Sequence, residues 1–287
     1  MDGKLSEIEK LTAFVRDNPR LVVLTGAGVS EASGIPTYRD REGRWRHSEP
    51  IKHQEFIAEP ARRQRYWARS IRGWPAVRDA RPNPAHQALT TLERAGYVQS
   101  IITQNVDRLH QRAGSRRVID LHGRLDRVCC LECGGMHCRD SIQQRLEAIN
   151  ESINSDGHAM ARPDGDVELP DARVKGIKIP GCSRCGGVLM PDVVFFGGTV
   201  PRERVATCMT DLENADALVA IGSSLQVYSG FRFCRRAADL GKPLAILNPG
   251  HTRADDMATL KLGTDCGWLL RQLAINLAHP SAGDSPS

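Results

Sequence analysis

Leu21-Val-Val-Leu-Thr25-Gly26-Ala27-Gly28-Val-Ser30 is the stretch on which the fold turns. Four apolar residues in succession, Leu21 to Leu24, suit a short strand buried on both faces, and a glycine turn follows at once. Backbone N–H groups at such a strand-to-helix turn can meet a pyrophosphate. Gly-x-Gly alone is a weak sign, because a structural turn explains it equally well. There is no third glycine at the usual spacing and no Gly-Lys-Ser/Thr, so neither the dinucleotide fingerprint nor the P-loop is complete. Outward from this stretch the same rhythm recurs. Leu5, Ile8, Leu11 and Val15 lie near helical spacing upstream. Downstream, Asn83-Pro84 opens a helix, with Asn as N-cap and Pro at the first helical position, that runs to about Ala95 and stops at Gly96. Val98 to Thr103 reads as strand, Val106 to Ala113 as helix, Val118 to Leu121 as strand, Ala217 to Ile221 as strand, Phe231 to Leu240 as helix and Leu244 to Leu247 as strand. This alternation predicts an α/β fold, a Rossmann-like parallel sheet with helices on both faces. Gly222-Ser223-Ser224 and Asn248-Pro249-Gly250 follow two of the strands. They place more hydrogen-bond donors at the strand ends where open sheets bind ligands.

The 287 residues suit two domains or one large one. Two stretches break the rhythm, an Arg- and Trp-containing segment and a cysteine-rich segment. They predict one unit of two lobes: a large lobe of residues 1–38, 82–125 and 188–278, a small lobe of residues 39–81 and 126–187, and a tail at 279–287. Charged residues make up 25% of the chain, which argues against long disorder. No apolar run approaches the roughly 18 residues of a membrane span. The first ten residues resemble neither a signal nor a transit peptide, so a soluble, cytoplasmic protein is expected. The net charge of +5 raises nucleic acid as a partner. Between Tyr38 and Arg81, 12 basic residues face 6 acidic ones, but a solvated face is the commoner cause of such an excess, and nucleic acid is not expected. A monomer is favoured, although nothing in the sequence fixes the oligomeric state.

Nine cysteines are too many and too clustered to ignore. Cys130-Leu-Glu-Cys133-Gly-Gly and Cys182-Ser-Arg-Cys185-Gly-Gly are one word written twice. Each C-x-x-C turn can aim two thiolates at one ion, and the glycines tolerate the tight backbone of such a knuckle. Four sulfurs close a tetrahedron and leave no position for catalysis, so a structural Zn2+ is expected. Cys129 competes for the first ligand position, but only Cys130 gives the two-residue spacing. The 48 residues between the pairs exceed a plain zinc ribbon, so something is inserted there.

Taken together the motifs become specific. Gly26-Ala-Gly-Val-Ser30, Ser33-Gly-Ile35-Pro36-Thr-Tyr38-Arg39, Thr103-Gln104-Asn105-Val-Asp107, Leu121-His122-Gly123, the two cysteine pairs, Pro191-Asp-Val-Val194-Phe195-Phe196-Gly197, Gly222-Ser-Ser224 and Asn248 occur in order. The set resembles the sirtuins, NAD-dependent protein deacylases, from about Leu21 to Cys266. Gln64-Arg-Tyr66-Trp-Ala-Arg69, Asp164-Gly-Asp166, Val227-Tyr228-Ser-Gly230 and the insertion between the cysteine pairs look most like class II, the group of mitochondrial sirtuin four and its bacterial relatives.

The resemblance implies NAD as cosubstrate and acyl-lysine proteins as substrates. In that family the acyl oxygen attacks C1′ of the nicotinamide ribose, nicotinamide leaves, and the acyl group ends on ADP-ribose. His122 takes the position of the base, suited by an imidazole pKa near working pH. Asn105 and Asp107 match the residues that order the ribose and the nicotinamide pocket. Gln104 matches a ribose neighbour, and Cys266 a position at the adenine end. Arg39 would face phosphate. The glycine loop, Ser33, Ile35, Pro36, Tyr38 and the loops at Gly222 to Ser224 and Asn248 to Gly250 complete the implied cofactor site. The substrate would lie as an extended strand between Val193 to Gly197 and Gln226 to Gly230, against Val194, Phe195, Phe196, Gly197, Val227 and Tyr228. Gly198 departs from the acidic residue that many sirtuins carry there. Tyr66 and Arg69, three apart on a helix, have the spacing used to hold a negatively charged acyl group, with a solvated Arg69 as the plain alternative. The insertion can reach that pocket too. Mono-ADP-ribosyl transfer is the second activity that class II suggests. A non-enzymatic NAD-responsive module or a zinc-dependent nucleic-acid binder is the reading from outside the enzymes.

Overall fold

A computed structural model describes residues 2–278 except 41, 43, 47–49, 151–163, 166, 168, 171–173 and 175. Asp166 and the tail at 279–287 lie outside the described residues. Six parallel strands form the main sheet: β1 (Leu21–Thr25), β2 (Val98–Thr103), β3 (Val118–Asp120), and the later β7 (Ala217–Ile221), β8 (Leu244–Leu247) and β9 (Leu260–Leu262). Their order is β3-β2-β1-β7-β8-β9. The order reverses direction between β1 and β7, the kind of switch point where open α/β sheets bind ligands.

Alternate residues of each strand enter different cores, as strand geometry requires. Leu21, Val23, Ile101, Val219 and Leu247 pack on helices α1 (Asp2–Asp17), α4 (Pro84–Arg94) and α9 (Cys266–Ala278) through Leu11, Val15, Leu89, Leu92, Leu269 and Leu273. Val22, Leu24, Ile102, Leu218 and Ile246 pack on α7 (Arg202–Asn214) and α8 (Tyr228–Asp239) through Leu212, Phe233 and Cys234. Both faces of β1 and β7 are covered, and every residue of the two strands is buried.

A second, antiparallel sheet of β4 (Gly123–Cys130), β5 (Met136–Cys138) and β6 (Leu189–Val193) runs in the order β5-β4-β6. Gly123 opens it at φ +83°, and a Cβ there would lie 2.1 Å from the Asp192 carbonyl oxygen, so only glycine fits. Helices α2 (His53–Ala58), α3 (Pro60–Asp79) and α6 (Arg139–Ala148) pack beside this sheet. Arg139, 1% exposed, lies 5.3 and 5.4 Å from the ring centres of Trp67 and Trp74 and donates to the Ser70 hydroxyl and carbonyl. This cation–π contact pins α6 to α3. Asn150 donates to the Lys178 carbonyl and accepts from the Lys178 N–H at 2.8 Å, bringing the chain together across the insertion.

Two local expectations change. The helix expected after the glycine loop is a pair of short 3-10 turns, Ala27–Val29 and Glu31–Ser33. The helix expected from Val106 begins at Leu109, because Arg108 is left-handed at φ +67° and the Asp107 carboxylate accepts from the Leu109 N–H at 2.9 Å. Among the described residues no helix is long and apolar enough to cross a membrane.

Candidate active site and metal centre

A cavity of about 990 Å³ opens along the C-terminal ends of β1, β2 and β7, near the top of the roughly 300–1,000 Å³ of small-molecule sites. Two loops meet at its floor. Gly26 N–H donates to the Ile221 carbonyl and Gly28 N–H to the Gly222 carbonyl at 2.8 Å. A Cβ on Gly28 would stand 2.8 Å from Gly222 Cα, and one on Gly222 2.5 Å from the Val29 nitrogen. The glycines therefore serve first to let two strand-end loops touch. Asn83, the N-cap of α4, accepts from Ala85 N–H and donates from Nδ2 to the Val29 carbonyl and to Ser33 Oγ, tying the loop to the helix.

Most residues that the sequence singled out meet on the walls of this cavity: Gly26, Ala27, Gly28, Ile35, Tyr38, Arg39, Gln104, Asn105, Asp107, His122, the Gly222 to Ser224 loop, the Asn248 to Gly250 loop and Cys266. Ser33 and Pro36 do not line it; Ser33 is the partner of Asn83. Asn105 Nδ2 donates to the Gly26 carbonyl at 3.1 Å and to Ser30 Oγ at 3.0 Å, while Ser30 Oγ donates to Asp107 at 2.7 Å. Burial pushes the Asp107 carboxyl above its ordinary range, against the hydrogen bonds it accepts. Ser30, which the sequence shows only as the end of the glycine loop, joins two of these residues.

His122 follows β3 and precedes Gly123. Its Nδ1 is 3.0 Å from the Gln104 carbonyl and its Nε2 2.7 Å from Ser229 Oγ. Burial pushes its imidazole down to about 4, with the positive charges of Arg204 and Arg232 acting the same way and the Gln104 carbonyl acting against them. The ring is therefore neutral near pH 7, the form that can take a proton. Gln104 Nε2 donates to Ser223 Oγ at 2.9 Å, which ties β2 to the β7 loop directly beside the histidine.

Val194, Phe195, Phe196, Gly197, Val227 and Tyr228 form another part of the wall. Part of the expected edge is already bonded: Val194 N–H donates to the His122 carbonyl, the Phe196 carbonyl accepts from His53, and Gln54 reaches the Gly197 carbonyl. Tyr38, Trp45 and Phe196 stack edge to face with centres 5.6–6.2 Å apart, and Trp45 is a second residue that sequence reading passed over.

Tyr66 lines the cavity, packed against Phe56 and Phe195. Arg69 does not join it there. It is 2% exposed, donates from Nε to the Val167 carbonyl, and borders a separate recess of about 270 Å³ whose wall shares Pro50 and Ile51 with the cavity. Arg69 is not solvated either. Asp164 from the insertion does reach the cavity. The basic excess of 39–81 is largely engaged locally, in pairs such as Arg44 with Asp40, Arg46 with Glu31 and Arg62 with Glu59, and in Arg63 donating to the Phe56 carbonyl.

The metal centre lies in the smaller sheet. The sulfurs of Cys130, Cys133, Cys182 and Cys185 all fall within 4.8 Å of one another, with Cys130 to Cys185 at 3.5 Å and Cys133 to Cys182 at 3.8 Å. Zn–S bonds of about 2.3 Å in a tetrahedron set the sulfurs about 3.8 Å apart. The four thiols thus fit a structural Zn2+, and Cys129 is not among them.

Residues 26–229 match the model of the Sir2 family. An NAD-dependent protein deacetylase of Bordetella bronchiseptica is 49% identical over 273 residues, covering 95% of this chain and 99% of its own. Human mitochondrial sirtuin-4, described as an NAD-dependent protein lipoamidase, is 47% identical over 267 residues, 92% of this chain and 85% of its own. A solved structure of Sir2 with a p53 peptide and NAD+ shares 29% identity and a TM-score of 0.74 over 93% of this chain and 96% of its own. Sequence, cavity and fold agree across most of the length, and the chain belongs to the Sir2 family.

Proposed function

We propose that the protein removes acyl groups from lysine side chains of proteins at the expense of NAD. The observation that carries this is the meeting of His122, Asn105 and Asp107 with the glycine loop and the Gly222 loop in one cavity at the sheet's switch point. Bound there, NAD supplies an electrophilic ribose carbon with nicotinamide as leaving group. The chain's own residues do the rest. Gly26 to Gly28, Gly222 to Ser224 and Asn248 to Gly250 would cradle the cofactor, and Arg39 and Tyr38 would meet it from the same cavity wall. Asn105, held by Gly26 and Ser30, orients the ribose side; Asp107 fixes the loop through Ser30 and Leu109. His122, neutral and held at Nδ1 by a carbonyl that only accepts, offers Nε2 as the general base.

Acyl-lysine enters as an extended segment beside Val194 to Gly197, across from Val227 and Tyr228. Around Tyr66 the wall is apolar and aromatic, with Ile51, Val193 and Phe195. With Arg69 turned to Val167, this supports an uncharged, extended acyl chain over the anionic one. All nine cysteines are unbridged, which supports the cytoplasm as the compartment.

The test is one peptide carrying acetyl, lipoyl, branched, succinyl and glutaryl groups in turn, with NAD. Nicotinamide and O-acyl-ADP-ribose should form in equal amounts by mass spectrometry, and His122→Ala should abolish both while NAD still binds. Covalent ADP-ribose on protein without acyl substrate would point instead to ADP-ribosyl transfer. No product across the panel, or full activity in His122→Ala, overturns the proposal.

A further inference from the structure

The hydrogen bonds of His122 leave one side chain without a part in the chemistry described so far. Nδ1 faces the Gln104 carbonyl at 3.0 Å. A carbonyl cannot donate, so Nδ1 carries the proton and Nε2 is left with a lone pair. Ser229 Oγ lies 2.7 Å from that lone pair, so the hydroxyl is the donor. Ser229 sits in the first turn of α8, whose Gly230 and Phe231 N–H groups bond the Val227 carbonyl. The turn cannot drift from the histidine. Gly230 abuts the Gln104 side chain so closely that a Cβ there would be 2.7 Å from Oε1, and Gln104 is itself held by Thr25 and Ser223. Gln104 carbonyl, imidazole and Ser229 hydroxyl thus form a chain of fixed length.

We propose that Ser229 is a positioning residue for His122: its hydroxyl and the Gln104 carbonyl together hold the imidazole in the tautomer with Nδ1 protonated and Nε2 bare, aimed into the cavity. This rests on the reading of His122 as the base. In turnover the O–H bond of the substrate hydroxyl breaks and an N–H bond forms at Nε2; Ser229 keeps its own proton and yields the lone pair. Without Ser229 only the Gln104 carbonyl selects the tautomer, and a ring turned over about Cβ–Cγ places Cδ2 against that carbonyl, loses the selection and opens the Nε2-protonated tautomer. The charged groups acting on the ring are Arg204 from α7 and Arg232 from α8, one helical turn beyond Ser229, and both oppose a charged imidazole. Burial first, and these charges with it, favour the neutral form but not the tautomer, which is left to the two hydrogen bonds.

The experiment compares the full chain with Ser229→Ala and Ser229→Thr. Kinetics are read at saturating acyl peptide, and the ring is read by nitrogen-15 NMR of selectively labelled histidine, with His122→Ala to assign its signals. Ser229→Ala should lower kcat about tenfold, the worth of one hydrogen bond near 1.4 kcal/mol, with the KM for NAD unchanged. The protonated nitrogen should shift in part from Nδ1 to Nε2. Ser229→Thr should keep both the rate and the tautomer. Unchanged kcat with an unchanged tautomer overturns the proposal, and so does a loss of rate that threonine fails to restore while the tautomer stays as it was. The ring readout does not depend on turnover. If His122→Ala stays active, the base assignment fails, and the tautomer still reports whether Ser229 positions the ring.

Discussion

Gly28 and Gly222 are held in place by each other before any ligand is considered. The Gly28 N–H is already donated to the Gly222 carbonyl, and each Cα occupies the space where the other's Cβ would be. The sequence shows the glycines but not this contact, because the partners are almost 200 residues apart in the chain. Gly28→Ala must push the two strand-end loops apart. Overpacking of this kind costs about 1–3 kcal/mol, and the displaced loops are the floor of the proposed cofactor site. The KM for NAD should rise at least about tenfold, and Tm should fall by about 2–4 °C for each kcal/mol lost. Gly96→Ala is the control. Its φ of +89° makes alanine strained, yet nothing lies within 4 Å, so Tm should fall while the KM for NAD holds. Equal effects on NAD from both variants would sink the argument.

Among the elements, those buried on both faces were legible from sequence. Ala217–Ile221 and Leu244–Leu247 are strands with the expected bounds, since unbroken apolar runs suit no other place in this architecture, and Val98–Thr103 keeps its bounds around the buried pair Ile101 and Ile102. Legibility fails where a side chain takes a partner from another segment. Asp107 shortens the next helix by capping Leu109 and bonding Ser30, and Arg69 shares a helix with Tyr66 yet bonds Val167, 98 positions away. The four cysteines were legible because their spacing is local. Their sheet has only three strands, and β5 has three residues with exposed Met136 and Cys138. A closed four-thiolate site can supply on the order of 10 kcal/mol of folding free energy, which such a sheet has little else to replace. Chelation should therefore strip hydrogen-exchange protection from β4, β5 and β6 first, while β1, β2, β7 and β8 keep theirs. One zinc per chain should be lost in step by elemental analysis. Protection that stays intact in zinc-free protein would show that the four sulfurs are not a folding site.

For the whole molecule, buried histidines set the response to acid. His86 and His110 are 0% and 1% exposed, with ring centres 4.8 Å apart beneath the loop that carries Asn105. His110 Nε2 meets Thr25 Oγ1, which donates to Thr103 Oγ1, which in turn accepts the Asn105 N–H. The His110 ring is thus bonded through two threonines to the loop that carries Asn105. Burial pushes His86 down to about 4, and burial plus the neighbouring ring pushes His110 well down. The unfolded chain protonates histidine near 6.5. Between about pH 6.5 and 4 it therefore binds protons that the folded chain refuses, and stability, fully present above that window, falls as pH falls. Asp107 and Asp120, pushed up by burial, act in the opposite sense, since their folded forms take protons more readily. His86 alone should account for about 2 kcal/mol of the loss between pH 7.5 and 5.0. Urea unfolding at both pH values tests this. His86→Gln should lose about 2 kcal/mol less than the parent protein across that interval, whatever its stability at pH 7.5. Parallel losses in the two proteins would mean that His86 is not held neutral in the fold, and that the acid response arises elsewhere.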